Sequence, residues 1–226
     1  MGGFFNVEGD FHRWASLIAD IVLISLLWIV FSVPLLTLGP STTAAYYVCT
    51  KKVSGRDGYV IQGFFKSFKE NFFKSTFALI ILVVLGTVLI FNMMLLDGDT
   101  VQFAPFILIA QYFIFLQLIF VAMYVFALIA RFEMKLGRLI RIAFLLSNRH
   151  ILFTMINLVL LAVLFMAAVE FPLLFMFVGG IYIYLSSYLL VRVFRKHYPD
   201  FDPQLDGDIK PLSFEEEQEQ EETDEE

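Results

Sequence analysis

A chain of 226 residues that is 59% hydrophobic and 17% aromatic, with 27 Phe and a mean hydropathy of +0.77, exceeds the roughly 45–50% apolar content of soluble domains and is expected to bury the surplus in a bilayer. Its net charge of −6 belongs to one end: residues 215–226 hold nine acidic side chains, and without them 16 basic residues face 13 acidic ones. The single cysteine, Cys49, excludes an intrachain disulfide, and basic residues set beside apolar spans point to anionic headgroups rather than nucleic acid.

Residues 4–14 mix Phe4, Phe5, Val7, Phe11 and Trp14 with Glu8, Asp10, His12 and Arg13, a pattern for an interfacial lead-in with Trp14 at headgroup level. A spanning helix needs about 20 apolar residues. Residues 15–38 supply 24, interrupted by Asp20 and Pro34, and give the first expected crossing. That run is too long for a signal peptide and lacks a small-residue cleavage site, so it is expected to stay in the protein; Asn6 stands where myristoylation needs Ser or Thr. At Gly39-Pro40-Ser41-Thr42-Thr43-Ala44-Ala45, Pro40 does not suit a helix interior and the hydroxyls suit an N-cap, so a new helix is expected to begin at Ser41 or Thr42. It opens a cytoplasmic segment, 39–76, with a turn at residues 54–58. Beyond the turn Ile61, Phe64, Phe65, Phe68 and Phe72 recur at helical spacing opposite Lys66, Glu70 and Lys74. This second helix is expected to lie in the interface plane.

Residues 77–96 and 103–130 are the next two expected crossings, separated by Asp97-Gly98-Asp99. A second cytoplasmic segment, 131–150, sets Arg131, Lys135, Arg138 and Arg141 against Phe132, Leu136, Leu139, Ile140 and Ala143, again an amphipathic helix. Glu170-Phe171-Pro172 then divides 151–169 from 173–194; one helix over both would be about 65 Å long at 1.5 Å per residue, against a bilayer core of about 30 Å. The segments 39–76 and 131–150 and the C-terminal region hold 15 of the 16 Lys and Arg, with Arg13 the exception. The positive-inside rule then predicts the N-terminus outside and the C-terminus in the cytoplasm, with five crossings. Residues 1–212 read as one membrane domain and 213–226 as a disordered acidic tail.

Asp20 stands out because an ionisable group about 9 Å of helix rise beyond Trp14 marks a functional site by default. With Tyr184 and Tyr188 it makes a candidate intramembrane polar site, for a coupling ion, a polar pocket or a partner helix. The plainer expectation is that it meets the outer headgroups or pairs with Arg13, seven residues earlier on the same face. Gln102, Gln111, Gln117 and Asn157 suit hydrogen bonds between helices. Gly179-Gly180, followed by Tyr182, Tyr184, Ser186, Ser187 and Tyr188, suits either a sugar-binding stripe or, preferably, close helix packing. His12, His150 and His197 are far apart, and no metal-ligand spacing, phosphate loop, nucleophile elbow or catalytic dyad occurs. No catalytic residue, cofactor or metal is therefore expected, and neither is an enzyme. Five crossings cannot make two equal inverted halves, which argues against transport by this chain alone.

Pro34 with the run Gly39–Ala45, then Gly63-Phe64-Phe65-Lys66-Ser67-Phe68-Lys69-Glu70-Asn71-Phe72, then Ala143-Phe144-Leu145-Leu146-Ser147-Asn148-Arg149-His150, resembles the YesL-like family of small bacterial membrane proteins, a domain of unknown function. The resemblance runs from about Phe4 to about Lys196 and leaves out the acidic tail. Members of that family are typically encoded beside carbohydrate ABC importers and sugar-responsive two-component systems. The resemblance therefore implies an accessory subunit packed against the permease of an oligosaccharide importer, and in reach of its ATPase, in the bacterial plasma membrane. The expected fold is all-α and polytopic, with five transmembrane helices and cytoplasmic amphipathic helices. The expected partner surface comprises Gly39, Pro40, Ser41, Thr42, Phe65, Phe68, Phe72, Arg138 and Arg141. Two other classes stay open: a small homo-oligomeric transporter or channel, and a membrane partner of a sensor kinase.

Overall fold

The computed structural model describes residues 7–54, 58–96, 104–171 and 174–197. They form eight helices: α1 (Val7–Ser32), α2 (Leu38–Val53), α3 (Val60–Glu70), α4 (Phe72–Leu96), α5 (Ala104–Arg131), α6 (Leu136–Arg149), α7 (Ile151–Glu170) and α8 (Phe175–His197), with a 3-10 turn at Leu35–Thr37. Five of them, α1, α4, α5, α7 and α8, contain stretches long and apolar enough to cross a bilayer. Large side chains exposed along them, such as Val83, Phe91, Phe113, Phe165 and Met166, are apolar and call for lipid, not water, as their neighbour. The protein is an all-α, polytopic membrane protein. The acidic tail, the turn at 97–103 and Pro172 lie outside the described residues.

The largest departure from expectation is α2. Its Gly, Ser, Thr and Lys content suggests a segment leaving the membrane, yet Gly39, Pro40, Ser41 and every residue from Thr43 to Thr50 are buried. α2 starts at Leu38, not at Ser41 or Thr42, and holds Pro40 in its first turn, where the missing N–H costs nothing. The hydroxyls do not cap it. Ser41 and Thr42 donate back to the Leu38 carbonyl at 3.0 and 2.7 Å, and their oxygens also reach other helices. Trp28 Nε1 donates to Thr42 Oγ1 at 3.1 Å, the Ser32 and Ser41 hydroxyls lie 2.6 Å apart, and Thr43 and Ser75 share a hydrogen bond of 2.8 Å. Buried hydroxyls need such partners.

Ser32 with Ser41, Trp28 with Thr42 and Asp20 with Lys52 pair residues of rising separation, so α1 and α2 form an antiparallel hairpin closed at Val33–Leu38. Two expectations are corrected. Residues 39–53 run back beside α1 instead of emerging from it, and the Asp20 half of α1 lies at the same end of the molecule as Lys52, not at the end opposite the basic segments. The physical reason is partner availability: besides carbonyls of its own backbone, the polar stripe of α2 finds hydroxyls and the indole of other helices.

α3 follows its predicted stripe in part. Phe64 is fully buried and Phe31 meets Phe64, Phe65 and Phe68 at centroid distances of 5.2–5.8 Å. Ile61, expected on the stripe, is exposed. Instead of lying alone in the interface, α3 packs along α2, where Gly63 comes so near that an added Cβ would touch Val48 at 3.4 Å. Only Asn71 separates α3 from α4, which begins at Phe72, five residues before the expected 77. α6 buries Leu139, Ile142, Ala143 and Leu146 and leaves Arg138 and Arg141 exposed, as the amphipathic reading expects, but Arg131, expected on the same basic side, ends α5 and is buried.

Candidate functional site

Three arrangements of polar side chains are built into this bundle. The first is internal, where α2, α5, α7 and α8 meet. Tyr46 on α2 donates to Ser186 Oγ on α8 at 3.3 Å. Tyr124 on α5 shares a 3.0 Å hydrogen bond with Thr154 on α7, and Thr154 donates to the Ser147 carbonyl at 2.9 Å. Gln117 Nε2 reaches Ser147 Oγ at 3.3 Å, as expected for a span amide holding helices together. Gln111 and Asn157 are buried too, and their side-chain oxygens have no hydrogen-bond partner among the described residues. Gln102 lies outside the described residues. Tyr184 and Tyr188, one helical turn apart, bond hydroxyl to hydroxyl at 3.2 Å with rings edge to face at 5.5 Å.

The second lies at the far end of the α1–α2 hairpin. Asp20 forms an ion pair with Lys52; their side chains are 26% and 14% exposed. The expectation that Asp20 meets outer headgroups or Arg13 is thereby corrected: its partner stands 32 residues later, brought opposite by the hairpin. Beside it, Lys51 Nζ sits 4.4 Å from the Tyr47 ring centroid and the Arg131 guanidinium 5.9 Å from it, so one aromatic ring serves two cations. Tyr47 lines two cavities there: one of about 230 Å³ between α2 and α3, and one of about 170 Å³ with Lys66, Glu70, Asn71, Lys74 and Glu133.

The third is the exposed α6 ridge of Arg138 and Arg141. The rest of the expected partner surface is less open than α6. Gly39, Pro40 and Ser41 are buried, Gly39 against Ser75 and Leu79 of α4, and Thr42 is spent on Trp28; Phe65, Phe68 and Phe72 are half-buried in an aromatic row with Phe31 and Phe64. Gly39, Pro40 and Ser41 are packed inside the fold, whereas Thr42, Phe65, Phe68 and Phe72 keep part of their surface exposed. Gly179 and Gly180 follow the packing expectation: a Cβ on them would collide with Trp28 and Ser25 of α1. An apolar cleft of about 450 Å³ opens beside this contact, lined by residues such as Val33, Leu161 and Phe175. Cys49 is fully buried. Among the described residues, no three His, Cys, Asp or Glu converge on one point.

The family comparison falls on the stretch that closes the hairpin and builds the aromatic row. Residues 21–93 match the family described as "Protein of unknown function, DUF624". The chain is 27% identical over 172 residues to the "Uncharacterized protein YteU" of Bacillus subtilis (strain 168), an alignment covering 73% of this chain and 75% of that relative. No solved structure matches it. The matched residues span the second half of α1, all of α2 and α3 and most of α4, so the match falls on the closed end of the hairpin and the aromatic row, not on Asp20 or the basic ridge of α6.

Proposed function

We propose that this protein is a non-enzymatic accessory subunit of a carbohydrate ABC importer in the bacterial plasma membrane, seated against the permease through α6. The observation that carries the reading is where charge is available. Asp20, the carboxylate in the first span, is spent on Lys52 inside the chain, whereas Arg138 and Arg141 stand exposed on a helix whose other face is anchored on α5. A rigidly held cationic ridge beside the membrane suits an acidic patch on a partner. The YesL-like resemblance supplies the identity of that partner.

The hairpin favours a revised sidedness, with both termini cytoplasmic and α2 as a sixth, buried pass. All 16 Lys and Arg then fall on one side, and Arg13 ceases to be an exception to the positive-inside rule.

The test is purification of the tagged protein from its native membrane in mild detergent. Both permease subunits in fixed ratio are expected with it, and Arg138→Glu with Arg141→Glu should release them while leaving the elution profile of the protein unchanged. Recovery of the protein alone, as a defined homo-oligomer, overturns the proposal in favour of a channel or carrier. Uptake in liposomes lost on Asp20→Asn would then point to Asp20, Tyr184 and Tyr188.

A further inference from the structure

We infer that the apolar cleft between α1, α7 and α8 is a binding site for one acyl chain of a membrane phospholipid. The cleft holds about 450 Å³, against the roughly 150 Å³ that suffices for benzene in a dry protein cavity, so it has room for a length of hydrocarbon chain. Its walls include Trp28 and Ile29 of α1, Leu161 of α7, and Phe175, Val178 and Ile183 of α8, and no residue in the lining is charged. The hydroxyls of the lining are engaged or turned away. Thr42 accepts from the Trp28 indole and donates to the Leu38 carbonyl, Ser32 pairs with Ser41, and the Tyr182 hydroxyl is enclosed within the bundle. A sugar would find few partners there, whereas a methylene chain would meet carbon on most sides.

The cleft is preformed. The Trp28 indole is held from one side by Thr42 at 3.1 Å and from the other by Gly179, where an added Cβ would collide with the ring. It cannot swing into the space without losing both contacts. Gly180 likewise brings α8 against Ser25, so backbone contact fixes the spacing of α1 and α8, and the helices do not draw together to close the gap. Left without neighbours, the walls forfeit dispersion contacts along their open side.

What fills the cleft follows from where it opens. Val33 and Phe175, both in the lining, are largely exposed, so the cleft communicates with the outside of the bundle. Its walls belong to stretches of α1, α7 and α8 apolar enough to span the bilayer, and the exposed side chains that neighbour them in sequence, Val30, Leu174 and Met176, are apolar as well. The cleft is thus continuous with the lipid-facing surface, and the medium at its mouth is hydrocarbon chain. The site is independent of the α6 ridge and of any permease.

Fluorescence of Trp28 tests the assignment. Trp14→Phe leaves Trp28 as the sole indole of the full-length chain. Reconstituted in phosphatidylcholine with brominated chains, this protein is expected to lose most of the emission it shows in unbrominated phosphatidylcholine. Phosphatidylglycerol with the same brominated chains should quench equally, since the lining has no charge with which to read a headgroup. Val178→Phe fills the cleft from α8 and Leu161→Phe fills it from α7, and in each variant most of the emission should survive. Helical circular dichroism and a cooperative melt establish that the variants are folded. Quenching as deep in both folded variants as in the parent overturns the inference, because Trp28 then meets lipid at the open surface. Emission that brominated lipid leaves untouched in the parent also overturns it, and a dimer on size exclusion would then give the cleft to a second copy of the chain.

Discussion

Breaking the Asp20–Lys52 pair is the sharpest test of the hairpin. At about 4 Å and an effective dielectric constant of about 20, two unit charges attract by about 4 kcal/mol. Desolvation takes back much of this, and the residual exposure of 26% and 14% reduces it further. Removing one partner still strands the other in a largely buried place, and for Lys52→Met or Asp20→Asn alone the net loss is about 2–3 kcal/mol. For a chain of this size each kcal/mol moves Tm by roughly 2–4 °C, so each single variant should melt about 5–10 °C lower. The double variant should return to within about 1 kcal/mol of the parent, because no unpaired charge remains. The four proteins form a double-mutant cycle with a coupling of roughly 3–6 kcal/mol, read by thermal unfolding of purified protein in mild detergent. A coupling near zero refutes the hairpin. An Asp20→Asn protein of normal stability that has lost liposome uptake refutes the structural role of Asp20 and restores it as a transport residue.

Gly180→Val should cost about 1–3 kcal/mol in the same assay, since its branched side chain must push Ser25 and the backbone of α1 aside; an unchanged Tm would mean that α1 and α8 do not touch there. Tyr124→Phe leaves Thr154 with its bonds to Ser147 and His150 and should cost only about 0.5–1.5 kcal/mol. Cys49, fully buried, should resist maleimide at pH 7–8 in the folded protein and label on denaturation; fast labelling of the native form would remove α2 from the core. With that silent background, a cysteine placed at Arg13 should react from the same side of sealed vesicles as one placed at Arg138, and reaction from opposite sides would refute the shared end of α1 and the basic helices.

The helices of the second half were plain in the sequence because their signal is local. Unbroken apolar runs bounded by acids, Gly and Pro put α5, α6 and α7 within a residue or two of their observed ends, except for the start of α6, which comes five residues after 131. The Tyr184 and Tyr188 contact follows from a spacing of four. α2 was not legible, because hydropathy weighs what a residue is and not what it meets: Ser41, Thr42 and Thr43 look like caps when read locally, and become interhelical partners only once α1 and α4 stand beside them. Asp20 failed for the same reason. Helical periodicity reaches Arg13, whereas Lys52 comes into range only after a reversal of direction. The apolar cleft was equally hidden, since Trp28, Leu161 and Val178 belong to three different helices and come to line one space only in the folded bundle.

The burial of α2 also bears on how the protein is made. Its partners include α1 and α3, synthesised around it, and α5 and α8, synthesised much later; the Tyr46 hydroxyl meets Ser186 only when the last helix arrives. Until then a hydroxyl-rich helix must wait at the translocon or at the membrane surface, because lipid offers it no hydrogen bonds. Nascent chains halted before α8 should therefore be held by insertion factors or handed to membrane proteases, and release of the final helix becomes the step that commits the whole bundle to the bilayer.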